Sequence, residues 1–186
     1  MERIRIGSRF RAGLLAAVAA FVALAVAPLP GRPVKARAQG PRATAGRADS
    51  DTDAIRGLVE KYAKSIDGAD TTLASEIWSK SPDVSFIHPR GHERGWEEVK
   101  KNVYQDLMSA TFSERKLTPR DVVIHVLGDA AWAEFYWDFS ARFKNGGQPL
   151  KTKGRETQVF QKTNGRWKLV HVHYSGMPVT AKREGF

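Results

Sequence analysis

Apolar side chains recur at helical spacing up to about residue 107 and alternate with polar ones from residue 112 onward. Ile55, Leu58, Val59, Tyr62, Ala63 and Ile66 fall on one face of a helix over 51–66, with Ser50 or Asp51 as its cap and Gly68 as its stop. TTLASEIWSK supports a short second helix, and VSFIHP, from Val84 to Pro89, alternates like a brief strand. PRGHERG reads as a turn, and from Gly95 a third helix carries Trp96, Val99, Val103 and Leu107 on one stripe. Four alternating runs follow, roughly 112–127, 130–143, 149–162 and 166–175, separated by GD, KNGGQ and TNGR. Asn164-Gly165 in the last separator is a strong hairpin signal. Helices followed by an antiparallel meander predict an α+β domain with the helices packed on one side of a curved sheet.

The first fifty residues break this pattern. MERIRIGSRFR is basic, and Ala12 to Ala27 is an uncharged apolar run followed by Pro28 and Pro30. The run is shorter than the ~20 residues of a membrane span and has the layout of a secretory signal. Ala36-Arg37-Ala38 offers a small-x-small cleavage site, so residues 1–38 read as a signal peptide directing export to the periplasm or the medium. A membrane partner enters only if the signal stays uncleaved. Residues 39–50 read as a flexible linker, 51–180 as the folded domain and 181–186 as a tail.

Composition narrows the function classes. The formal charge is +10, but residues 1–50 hold nine Lys/Arg against two Asp/Glu, leaving a net of only +3 on the remainder. No basic cluster marks the folded part, which argues against a nucleic-acid partner. The absence of cysteine removes disulfides, thiolate nucleophiles and every Cys-based metal site. No phosphate-binding loop, dinucleotide fingerprint or nucleophile elbow is present, so no cofactor is expected.

Two stretches carry candidate chemistry. On a strict period of two, His171 and His173 share a strand face with Trp167, Leu169 and Ser175. An H-x-H pair suits two zinc ligands, but no third ligand is spaced to join it, so a pocket-lining or sheet-anchoring role is expected and no metal. In AAWAEFYWDFSARF, Trp132, Glu134, Tyr136, Asp138, Ser140 and Arg142 share one face, and Phe135, Trp137 and Phe139 lie on the other. Either face can turn inward on the pattern alone.

Glu156-Thr157, Asn164-Gly165-Arg166-Trp167 and Val170-His171-Val172-His173 into Ser175-Gly176, after a three-helix start, resemble the nuclear-transport-factor-two-like superfamily. Within it the chain resembles the SnoaL-like branch and the association (hub) domain of calmodulin-dependent kinase two with its free-standing bacterial relatives. The resemblance implies a cone-shaped fold, a strongly bent sheet around a pocket, and self-association into dimers or rings through the sheet. It also implies the orientation of the 130–143 run. A pocket-facing hub arginine is aligned with Tyr136, so the polar set is expected to line the cavity. Phe135, Trp137 and Phe139 are then expected to face outward into a subunit interface.

On that reading the domain binds a small molecule and self-associates. The alternative is a SnoaL-like lyase, isomerase or hydrolase with Asp138 as general base on a small, mostly apolar substrate. Tyr136 and His173 would assist Asp138, since a carboxyl group in an apolar pocket can serve as base or as neutral donor. His88, Glu134, Arg155, Gln158 and His171 are the expected ligand contacts. A second hub arginine is replaced by Gln158, which implies a more neutral, aromatic pocket.

Overall fold

The computed structural model describes residues 41–177, so the expected signal peptide and tail lie outside the described residues. Helix α1 spans Pro41–Gly68, α2 Thr71–Ile77, and α3 Gly95–Glu98, which continues as a wider, π-type coil over Val99–Ser109. Strands are β1 Ser85–His88, β2 Gly91–Arg94, β3 Phe112–Leu127, β4 Ala130–Phe143, β5 Pro149–Thr163 and β6 Arg166–Gly176. They form one six-stranded sheet in the order β2-β1-β6-β5-β4-β3. β1 runs parallel to β6 and the remaining pairs are antiparallel. The result is an α+β fold in which helices close a curved sheet into a cone.

The alternating runs became strands at nearly the expected bounds, and Asn164 and Gly165 take the left-handed backbone of a two-residue hairpin. Three local readings change. Residues 41–50, read as linker, are the first turns of α1. Asp51 is therefore inside the helix and not its cap; its carboxylate accepts from Trp167 Nε1 at 2.9 Å and from Lys162 Nζ at 2.5 Å. The PRGHERG segment is not only a turn, since Gly91–Arg94 pairs with β1 as the edge strand β2. In the third helix Ala110 N–H bonds to Gln105 O, an i→i−5 step that buries Val103 and Tyr104 side by side.

Packing of α1 decides which sheet face is interior. Ile55, Val59, Tyr62 and Ile66 are buried along it, and its end is tied to β3 through Asp67. Asp67 accepts from Leu117 N at 2.6 Å and from Lys116 Nζ at 2.7 Å. Beneath the helices lie Phe135, Trp137 and Phe139 of β4, all buried. The expectation that this stripe faces outward into a subunit interface is corrected: burying three large aromatic side chains is worth about 2 kcal/mol each, and the helix layer supplies that burial within the chain.

The bend of the sheet depends on Gly154. A Cβ there would overlap the Ser175 carbonyl oxygen and the Trp137 ring, whose Cε2 would lie 2.7 Å away. Gly154→Ala is expected to cost about 3 kcal/mol in a urea unfolding titration; a loss under about 0.5 kcal/mol would show that β5 and Trp137 move apart freely.

Candidate functional site

The cone encloses a cavity of about 520 Å³ between the helices and the inner sheet face. Ile66, Phe86, Leu107, Phe112, Leu117 and Phe139 are among its walls, and Glu156 is the one acidic residue in its lining. β5 alternates so that Glu156, Gln158 and Phe160 point inward, and all three are buried. Gln158 Nε2 donates to Glu156 Oε1 at 2.8 Å, and the Tyr62 side chain of α1 also acts on that carboxyl. Burial pushes the Glu156 carboxyl up to about 8, partly offset by Gln158 and Tyr62. Burial, with Glu156 next in effect, raises Tyr62 well above its ordinary value; burial also raises Tyr174.

Tyr174 of β6 closes one side of the cavity. It meets Trp137 edge-on at 5.6 Å between ring centroids and stacks on His88 at 6.0 Å. His88 stands behind Tyr174, where Nδ1 accepts from Arg90 N and Nε2 lies 3.2 Å from Glu93 Oε1. Asn102 Nδ2 donates to the other oxygen of Glu93, so the β1–β2 hairpin is tied to the coil after α3. A smaller hollow lined by His88, Glu93 and Asn102 shares Arg90, Leu107 and Thr111 with the main cavity.

Most expected site residues are elsewhere. Asp138 and Tyr136 stand on the outer sheet face, with Tyr136 43% exposed and Asp138 in a partly exposed ion pair with Arg120. β4 carries no register shift, so turning Trp137 inward necessarily turns Tyr136 and Asp138 outward. Glu134, also outside, accepts from Trp132 Nε1 at 3.2 Å, and Arg155 is exposed. His171 and His173 are outside too: a register shift between β5 and β6 around Val170 leaves Trp167 and Leu169 inward but puts both histidines on the other face. His171 Nδ1 lies 2.7 Å from Ser85 Oγ, and burial, reinforced by His173 and His92, lowers its pKa. Glu134, Tyr136, Arg155 and His173 do meet, in an outer groove of about 420 Å³ with Thr157 and Ser175. Of the expected set two are inside: Gln158, which acts on Glu156, and His88, whose buried ring packs edge-on against Phe86 and lines the adjoining hollow. Among the described residues no three His, Asp or Glu side chains converge as a metal site.

Glu156, Tyr62 and Tyr174 were not among the expected site residues. The sequence signal for Glu156 was its place on one strand face with Gln158 and Phe160; no signal placed Tyr62 opposite it. Because Glu156 holds its proton more tightly folded than unfolded, its contribution to stability is complete at acid pH. It is lost as pH rises toward and through about 8. From pH 5 to pH 9 the chain is expected to lose roughly 4 kcal/mol relative to Glu156→Gln, measured by denaturant unfolding at each pH. Parallel profiles for the two proteins would contradict a neutral Glu156.

Residues 55–180 match the family described as the SnoaL-like domain. A nuclear transport factor 2 (NTF2-like) superfamily protein from Salmonella enterica is 45% identical, with 75% of this chain and 99% of that one covered at a TM-score of 0.72. A Xanthomonas campestris protein provisionally assigned as a calcium/calmodulin-dependent protein kinase II association domain shares the fold. It is 18% identical over 67% of this chain and 86% of that one, with a TM-score of 0.57. A hexachlorocyclohexane dehydrochlorinase from Novosphingobium barchaimii shares it too, at 14% identity, 69% and 88% coverage and a TM-score of 0.62. The chain belongs to the SnoaL-like domain family of the NTF2-like superfamily.

Proposed function

We propose that the domain binds one small, mainly apolar organic molecule per chain inside the cone. The observation that carries this reading is the cavity: about 520 Å³, within the usual range for small-molecule sites. Its walls are aliphatic and aromatic, and its polar groups are few. Any proton transfer to a bound molecule falls to Glu156, because Asp138 stands on the opposite side of the sheet. N-phenyl-1-naphthylamine, a neutral fluorescent probe, is expected to bind saturably at one site per chain. Thr152→Trp and Met108→Trp, which fill the cavity from two sides, are expected to weaken it about tenfold without moving the urea midpoint. Unsaturable binding, or binding indifferent to both variants, would remove the cone as the ligand site.

A second reading, self-association, is favoured by the outer sheet face. Val123, Leu127 and Tyr136 are 52%, 73% and 43% exposed there, and Trp132 stacks on His125 at 4.7 Å. These residues, and not Phe135, Trp137 and Phe139, would form the contact. Light scattering is expected to give a dimer or ring for the native chain and a monomer for Val123→Glu combined with Tyr136→Glu; a monomeric native chain would end this reading.

A further inference from the structure

The cavity lining holds two cationic residues, Arg90 and Lys153, beside the single acid Glu156. They are not equivalent. Lys153 stands opposite Asp138 in the β4–β5 register and next to the inward-facing Gly154, so its side chain belongs to the outer face with Asp138. Arg90, exposed in the turn between β1 and β2, lines both the cavity and the smaller hollow beside it. Burial and then Glu156 raise the Tyr174 hydroxyl, and Arg90 counteracts them, which puts its charge within electrostatic reach of that cavity-wall phenol.

Arg90 has no carboxylate of its own. Among the described residues its side chain takes part in no ion pair, although two acids line the same hollow. Both are engaged elsewhere: Glu93 with His88 and Asn102, and Asp106 with Lys101. The interior offers no compensating charge. Glu156 holds its proton at neutral pH, and Trp137 Nε1 and Gln158 Oε1, both buried without a hydrogen-bond partner, are one neutral donor and one neutral acceptor. An anionic group deep in the cone would lose its hydration with no cation to replace it. At the Arg90 end it would meet a guanidinium and keep part of its water.

We propose that the occupant of the cone is an apolar monocarboxylic acid, with its hydrocarbon body in the cavity and its carboxylate held by Arg90 beside the smaller hollow. The assignment depends on the cone being the ligand site and adds the ligand's class and orientation. A guanidinium fork matches the two oxygens of a carboxylate with two parallel N–H donors, and its one charge balances one. Glu93 and Asp106 in the same hollow disfavour a dianionic head there. Phe86, Phe112, Leu117 and Phe139 are among the walls left for the body.

Calorimetry on the full chain at pH 6.5 compares 2-naphthylacetate with its neutral, nearly isosteric amide, 2-naphthylacetamide. The acid is expected to bind about fivefold more tightly than the amide, with the difference narrowing as salt is raised. Arg90→Gln is expected to remove this preference while leaving the amide's affinity and the urea midpoint in place. Lys153→Gln, which deletes the same charge from the outer face, is expected to keep it. Equal affinity for acid and amide in the native chain, a preference that survives Arg90→Gln, or one that Lys153→Gln abolishes as well overturns the inference and leaves the cone as a neutral apolar site. Failure of both compounds to bind overturns that site too.

Discussion

The crossing of Trp137 over Gly154 is the contact on which the interior depends. With no side chain at Gly154, β5 lies against the Trp137 ring and the Ser175 carbonyl on β6 approaches from the far side. Three neighbouring strands can therefore bend together, and the bend turns an open sheet into one wall of a cavity. Trp137 in turn sets the face of β4: once it lies inward, Phe135 and Phe139 follow and the polar residues between them go out.

Two buried carboxyl groups show how differently the same chemistry is handled in one domain. Asp51 has Lys162 and the Trp167 indole N–H as partners, so its charge is neutralised where the start of the packed part of α1 meets the β5–β6 hairpin. Glu156 accepts from the neutral amide of Gln158, and it lines the cavity. The first arrangement fastens a helix to the sheet. The second leaves a neutral acid beside empty space, and a buried group held away from its ordinary protonation state is a feature of sites more than of scaffolding.

The elements of the fold were legible along the chain. Four alternating runs became β3 to β6 almost residue for residue, and the Asn164-Gly165 turn closed the last pair. The site was much less legible. The face of β4 could not be chosen from alternation, because both of its faces carry bulky side chains and an extended strand has no intrinsic inside. On β6 alternation itself misled, because the shift at Val170 puts Trp167 and His171 on opposite faces although they are four positions apart. Glu156 was visible on one face with Gln158 and Phe160, but its significance depends on Tyr62, ninety-four positions earlier in the chain.

Local patterns, then, were enough for the class of fold, the strands and their turns, because spacing and turn chemistry act over a few residues. Which strand face would be covered, where α1 would land and which acid would lose its water were decided only in three dimensions. Each of those outcomes depends on desolvation by segments distant in sequence: the helix layer for the aromatic stripe, and Tyr62 with the cavity walls for Glu156. A carboxyl group exposed in an isolated strand remains an ordinary acid. The same group closed beneath a helix, with no ion-pair partner, holds its proton far more tightly.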